Sequence, residues 1–244
     1  MRKVLVYDLP TRFFHWLFAG FFITAYAIAN LVDDDSARFS LHMLAGLGMV
    51  FVIVLRVLWS VVGTRHARPG DLALNPVQLF AYFKGMFSSG SQRWIGHNPA
   101  SSWAAVTMLG LGIGLGVTGY LMATGSEGGW LRETHEFMAN AFLAVVLLHL
   151  AGVAAHVLRH RDHLETSMIT GSKQVHAEDQ QPVRALPLAG LAFILLTAGF
   201  MGYLLQHYDA QARSLNLFGT TLQLGESEQE HEAGYIDGDD HDRD

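Results

Sequence analysis

Five long apolar runs constrain this chain more than anything else in it. Residues 13–32, 41–62, 103–123, 137–158 and 186–205 are almost free of charge, and each holds about twenty residues or more. A helix rising 1.5 Å per residue needs about 20 residues to cross the roughly 30 Å hydrocarbon core of a bilayer. Each run is long enough to span. Core helices of a soluble protein seldom stay apolar on all sides for such lengths. Charged residues make up only 16% of the chain, against about 25% in an average soluble domain. We expect an all-α integral membrane bundle. The polar lead-in contains Asp8 and the first run is long for a signal core, so residues 13–32 are expected to stay as a span rather than be cleaved.

The spans alternate the side on which each loop falls, and basic residues favour the cytoplasmic side. With the N-terminus inside, the inner segments collect Arg2, Lys3, Arg12, Arg65, Arg68, Lys84, Arg93, Arg159, Arg161, Lys173 and Arg184, whereas the outer ones hold only Arg38, Arg132, Arg213 and Arg243. The N-terminus is expected in the cytoplasm and the C-terminus outside. In the inner loop 64–101, residues 76–88 put Leu79, Phe80, Phe83, Met86 and Phe87 on one helical face, the pattern of a helix lying on a membrane surface. Residues 159–185 form a polar inner linker. From 226 to 244 the chain carries nine of its 22 acids and one basic residue, which suggests a solvated, disordered tail or an arm that docks a basic partner.

The third span contains Gly114-Leu-Gly116-Val-Thr-Gly119, a literal G-x-G-x-x-G. No strand precedes it and it lies inside an apolar run, so it is not a dinucleotide fingerprint. Its glycines, with Gly110 and Gly112, let either a neighbouring helix or a flat cofactor approach the backbone closely.

There is no cysteine. Disulfides, iron–sulfur clusters, thiolate zinc sites and covalently attached c-type haem are excluded. Any redox centre must be held by histidine, methionine or carboxylate. An ionisable side chain at membrane depth is costly without a partner and is a functional candidate by default. Four stand out: His15 in the first span, His42 at the start of the second, and His135 and His149 on the fourth.

The fourteen residues between His135 and His149 correspond to about 21 Å along a helix axis and about 40° of angular offset. One face of the fourth helix therefore presents two imidazoles at two depths. Following the direction of each span, depth pairs His15 with His149 near the inner surface and His42 with His135 near the outer one. Each pair can hold an iron from both axial sides, as two haems b require in a chain without cysteine. Arg56 also lies fourteen residues after its histidine, His42, and either faces a propionate of the inner haem or snorkels to the cytoplasm. Arg12, one turn before His15, is a similar candidate. His156, His160 and His163 continue down the fourth helix among Arg159 and Arg161, as a basic cuff rather than a metal site.

Six stretches occur in order: Thr11-Arg-Phe-Phe-His15-Trp, Gly63-Thr-Arg-His-Ala-Arg68, Gly96-His-Asn-Pro99, His135-Glu-Phe-Met-Ala-Asn140, His149-Leu-Ala-Gly-Val153 and Met168-Ile-Thr-Gly-Ser-Lys173. Together they resemble the bacterial cytochrome b-561 superfamily, which includes the b-type cytochrome subunit of Ni/Fe-hydrogenases. The resemblance covers about residues 4–173 and implies a four-helix bundle binding two haems b through His15, His42, His135 and His149. The chain then divides into a di-haem bundle over 1–173, an inner linker with a fifth transmembrane helix over 174–206, and an acidic, disordered periplasmic tail over 207–244.

The resemblance further implies a bacterial inner-membrane protein, embedded in lipid, that passes electrons between the quinone pool and a periplasmic partner. That partner is a c-type cytochrome or a dehydrogenase or hydrogenase subunit. The chain is then an electron-transfer subunit more than a stand-alone enzyme. The alternatives are a self-contained superoxide:quinone oxidoreductase and, from a different class, a histidine-lined metal or proton transporter.

Overall fold

The computed structural model describes residues 2–86, 98–126, 128–160, 166–175 and 182–224. Its element order is β1 (Arg2–Leu5), α1 (Leu9–Leu31), α2 (Ser40–Val62), α3 (Pro76–Met86), α4 (Pro99–Ala123), α5 (Gly129–His160), α6 (Ser167–Thr170), β2 (Ser172–Val175), α7 (Pro187–Gln206), β3 (Tyr208–Asp209), β4 (Ser214–Leu217) and β5 (Thr220–Gln223). Five helices, α1, α2, α4, α5 and α7, are long and apolar enough to cross a membrane.

α1 and α4 begin earlier than their apolar runs because capping residues outside those runs start them. Asp8 caps α1 by accepting from the Thr11 amide at 2.9 Å, and Pro10 occupies the first turn. Asn98 caps α4 in the same way through the Ser101 amide at 2.8 Å. The start of α5 extends beyond its apolar run through Arg132 and Glu136, which pair on its exposed face at 3.2 Å.

α1 packs along α2, α4 along α5, and α2 joins the two pairs through α4; α7 lies against α1 and α2. The centre is a cluster of Phe18, Phe22, Met49, Val52, Ile53, Leu115, Phe142 and Phe193. Phe22 and Phe142 stack with centroids 4.0 Å apart. Outward, the spans expose large apolar side chains, among them Val61, Leu148 and Leu188, each more than 70% accessible. Only lipid would solvate such a surface without penalty. This is the helical bundle of a multi-pass membrane protein.

Of the two roles open to the glycines of α4, close helix packing accounts for Gly112 and Gly114. A side chain started at Gly112 would stand 2.9 Å from Ile53 Cδ1, and one at Gly114 would stand 2.6 Å from Met138 Sδ.

Two small sheets lie at opposite ends. β1 pairs antiparallel with β2, from Arg2 opposite Val175 to Leu5 opposite Ser172. The polar linker of the sequence reading therefore contains a strand that ties the N-terminus to the bundle. At the other end, β3, β4 and β5 form a three-stranded antiparallel sheet. Residues 207–224 are thus ordered, unlike the tail expected from 207 onward, because Leu215, Leu222 and Leu224 pack on Leu44, Ala123 and Leu204 at the helix ends. Residues 225–244 lie outside the described residues, as do His163, His176, His231 and His241. The helix expected over 76–88 is observed as α3, with Phe80 and Phe83 exposed.

Candidate functional site

α5 sets the geometry of the site, since one uninterrupted helix carries both His135 and His149. α2 brings His42 to the first of them. The two imidazole centroids lie 6.1 Å apart, with ring planes at 68°. A ring nitrogen binds a transition metal at about 2.0–2.1 Å and sits about 1.1 Å from its ring centroid, so two rings on opposite sides of one metal stand about 6.2 Å apart. The observed pair fits axial ligation of a single iron.

Both rings are oriented through the nitrogen that faces away from such an iron. His42 Nδ1 lies 2.9 Å from the Ala25 carbonyl, which can only accept, so Nδ1 carries the proton and Nε2 the lone pair. His135 Nδ1 lies 2.8 Å from Thr118 Oγ1. That hydroxyl directs its own proton to the Gly114 carbonyl at 2.9 Å, as threonines on helices do, and so accepts from the imidazole. Nε2 is again the nitrogen left for a ligand. Metal-binding histidines are typically held this way by a second partner.

At the other end, His15 on α1 and His149 on α5 are close enough to interact electrostatically. His15 Nδ1 is buried and meets no hydrogen-bond partner among the described residues. An imidazole nitrogen left unsatisfied in a protein interior costs about 1–3 kcal/mol.

The packing leaves room for a flat group. α5 lies close along α4 but stands off from α1 and α2 among the described residues. Gly46, four residues beyond His42, and Gly152, three beyond His149, are half-buried, yet a side chain started at either would meet nothing within 4 Å. Between the two levels lies Phe142, seven residues from each α5 histidine and 1% exposed. The residues present therefore fit a bis-imidazole site at the His42–His135 level, and His15 and His149 interact at a second level beyond a packed aromatic layer.

The arginines sit at the His15 end. Arg56 donates from Nη1 to the Ala67 carbonyl at 2.9 Å, and its guanidinium lies 5.7 Å from the Phe14 ring centroid. The side chain reaches toward the loop that follows α2, the direction expected of snorkelling. Arg12 donates from Nε to the Met168 carbonyl at 3.4 Å. His156, read as part of a basic cuff, is instead buried and 3.1 Å from the Tyr82 hydroxyl of α3. His66, in the Gly63–Arg68 stretch, is buried with Nδ1 2.8 Å from Asp71 Oδ2.

Sequence reasoning missed three groups. Thr118 lies in the glycine-rich run dismissed as a false motif, where a polar side chain at membrane depth was the available signal. The Ala25 carbonyl left no trace in residue identity. Asp8, fully buried, accepts from Thr64 Oγ1 at 2.7 Å and Trp59 Nε1 at 3.2 Å, tying the start of α1 to the end of α2.

The family model described as prokaryotic cytochrome b561 matches residues 6–171. Curated relatives are named probable Ni/Fe-hydrogenase B-type cytochrome subunits. The one from Rhodobacter capsulatus is 23% identical over 215 residues, covering 70% of this chain and 81% of its own length. That from Rhizobium leguminosarum is 23% identical over 216 residues, covering 70% and 89%. That from Azotobacter chroococcum is 31% identical over 154 residues, covering 52% and 63%. No solved structure matches. The family match takes in all four spans that carry or support the histidine pairs, and this chain belongs to the prokaryotic cytochrome b561 family, as a membrane cytochrome b of electron transfer.

Proposed function

We propose that the chain is a di-haem electron conduit of the bacterial inner membrane, with its N-terminus in the cytoplasm. His42 and His135 hold an outer haem b, and His15 and His149 an inner one. The observation that carries this reading is the 6.1 Å approach of His42 and His135 with both Nδ1 atoms engaged elsewhere. A haem held between two histidines would supply outer-sphere, one-electron transfer rather than oxygen binding. The chain's own residues hold the rings and exclude water between them. Phe18, Phe22 and Phe142 fill the layer separating the two levels. Arg56 and Arg12 sit at the inner level, where either can face a propionate.

The electron exchange runs between the quinone pool and a periplasmic redox partner. The relatives' names point to a hydrogenase-type oxidoreductase subunit, and a c-type cytochrome is the alternative partner. The ends of the bundle support the orientation. β1 and β2 meet at the end richer in basic residues, and the β3–β5 sheet caps the opposite one.

A pyridine haemochrome assay combined with a redox titration of the purified chain tests the reading. Two haems b per chain, with two midpoint potentials, are expected. A preparation that folds, shows five-span helicity and lacks a Soret band would overturn it.

A further inference from the structure

The two histidine pairs differ in how their rings are held. In the outer pair, each Nδ1 donates to a protein oxygen: His42 to Ala25 at 2.9 Å and His135 to Thr118 at 2.8 Å. In the inner pair, the buried Nδ1 of His15 has no acceptor among the described residues. Donating the distal N–H of a ligating imidazole raises the ring's basicity and strengthens its bond to the more highly charged metal. An iron held by such rings is stabilised in its ferric form.

Resting on the di-haem reading, we propose that Thr118 is a positioning residue that presents His135 Nε2 to the outer iron and lowers that haem's midpoint potential below that of the inner haem. The threonine is suited to the task because its own proton is already committed to Gly114 O at 2.9 Å, with Leu115 O at 3.3 Å as a second acceptor. The hydroxyl therefore faces the ring as an acceptor rather than a competing donor. It is buried on α4, one helix away from the histidine it orients, and carries no charge of its own. The surroundings of the two levels act in the same direction. Arg56 and Arg12 lie at the inner level and favour the reduced iron there. At the outer end, Glu136 follows His135 directly, and Asp34 is joined to it through Arg132. Negative charge disfavours adding an electron.

The test is a potentiometric titration of full-length holoprotein carrying Thr118→Val or Thr118→Ser. Valine keeps the shape and removes the acceptor; serine keeps the oxygen. Thr118→Val is expected to raise the lower of the two midpoints by about tenfold in its reduction equilibrium, about 59 mV for one electron, and to leave the higher one in place. Thr118→Ser should stay near the wild type. If Thr118→Val instead loses one haem while Thr118→Ser keeps both, the positioning role is equally supported. Unchanged midpoints in a Thr118→Val protein holding both haems, a shift confined to the higher midpoint, or equal behaviour of the valine and serine variants would overturn the proposal. A wild-type protein without any haem would overturn the di-haem reading itself, an outcome distinct from all of these.

Discussion

His42 and His135, on helices separated by 66 residues of chain or more, meet with ring centroids 6.1 Å apart near one end of the bundle. Nothing local holds them there. Each ring is anchored by an oxygen from a third or fourth place in the sequence, Ala25 on α1 and Thr118 on α4. Four helices thus converge on one pair of imidazoles, and each pair should bind its haem independently of the other.

Replacing His135 with alanine is expected to halve the haem content per chain while leaving a haem at the His15–His149 level. His149→Ala should do the converse and preserve the outer haem. Pyridine haemochrome quantification against protein concentration reads the stoichiometry, and the redox titration shows which midpoint has gone. Two haems in either variant would mean that the pairing is wrong.

Asp8 supports the His15 end of the bundle without a hydrogen bond to the histidines. Its carboxylate accepts from the Thr11 amide, Thr64 Oγ1 and Trp59 Nε1 at 0% exposure. Asp8→Ala strands three donors at once and removes the cap of α1. Loss of the cap alone costs about 0.5–2 kcal/mol, and each buried donor left unpaired costs about 1–3 kcal/mol. Partial relaxation should leave a net loss of about 2–4 kcal/mol, measured as a fall in the thermal midpoint in detergent. Asp8→Asn, which keeps an accepting oxygen, should lose less.

The five spans and the shared face of His135 and His149 were legible because each rests on a rule that acts within one helix. Apolar length reports a span, and fourteen residues on one helix set both the rise and the face of His135 and His149. What the sequence concealed depends on contacts between distant segments. β1 and β2 are four residues each and carry no strong alternation, so only their pairing across more than 160 residues makes them strands. The sheet of β3 to β5 follows a span with a polar, turn-rich stretch that resembles a tail. It becomes ordered because Leu215, Leu222 and Leu224 find Leu44 and Leu204 at the ends of α2 and α7. Thr118 was hidden for a different reason, since its meaning comes from a histidine on the next helix.

Phe142 separates the two levels of the site. It is 1% exposed, stacks on Phe22 at 4.0 Å and meets Phe18 at 5.5 Å. Phe142→Ala should cost about 3–5 kcal/mol through lost contacts and the cavity left behind. Both haems should still bind at low temperature, because His42 and His135 are held by Ala25 and Thr118 and the helices that carry all four histidines stay in place. Thermal unfolding followed at the Soret band should show two haems released at a lower temperature than in the wild type. Immediate loss of a haem at low temperature would show that the aromatic layer holds the ligands as well as the helices.

Two glycines separate tight packing from open space. At Gly48 on α2, a side chain would start 2.6 Å from the Phe21 ring of α1 and 3.0 Å from Met201 Sδ of α7. At Gly110 on α4, nothing lies within 4 Å. Gly48→Ala must therefore push the Phe21 ring aside and turn the Met201 side chain away, an overpacking cost of about 1–3 kcal/mol. Gly110→Ala meets no obstacle and restricts only the unfolded chain, so it should be neutral or stabilising by up to about 1 kcal/mol. Thermal melts of the two variants in the same detergent should move in opposite directions or differ by at least that margin. Equal melting temperatures would show that the Phe21 ring can move without cost and that α1 and α2 are not tightly packed at Gly48.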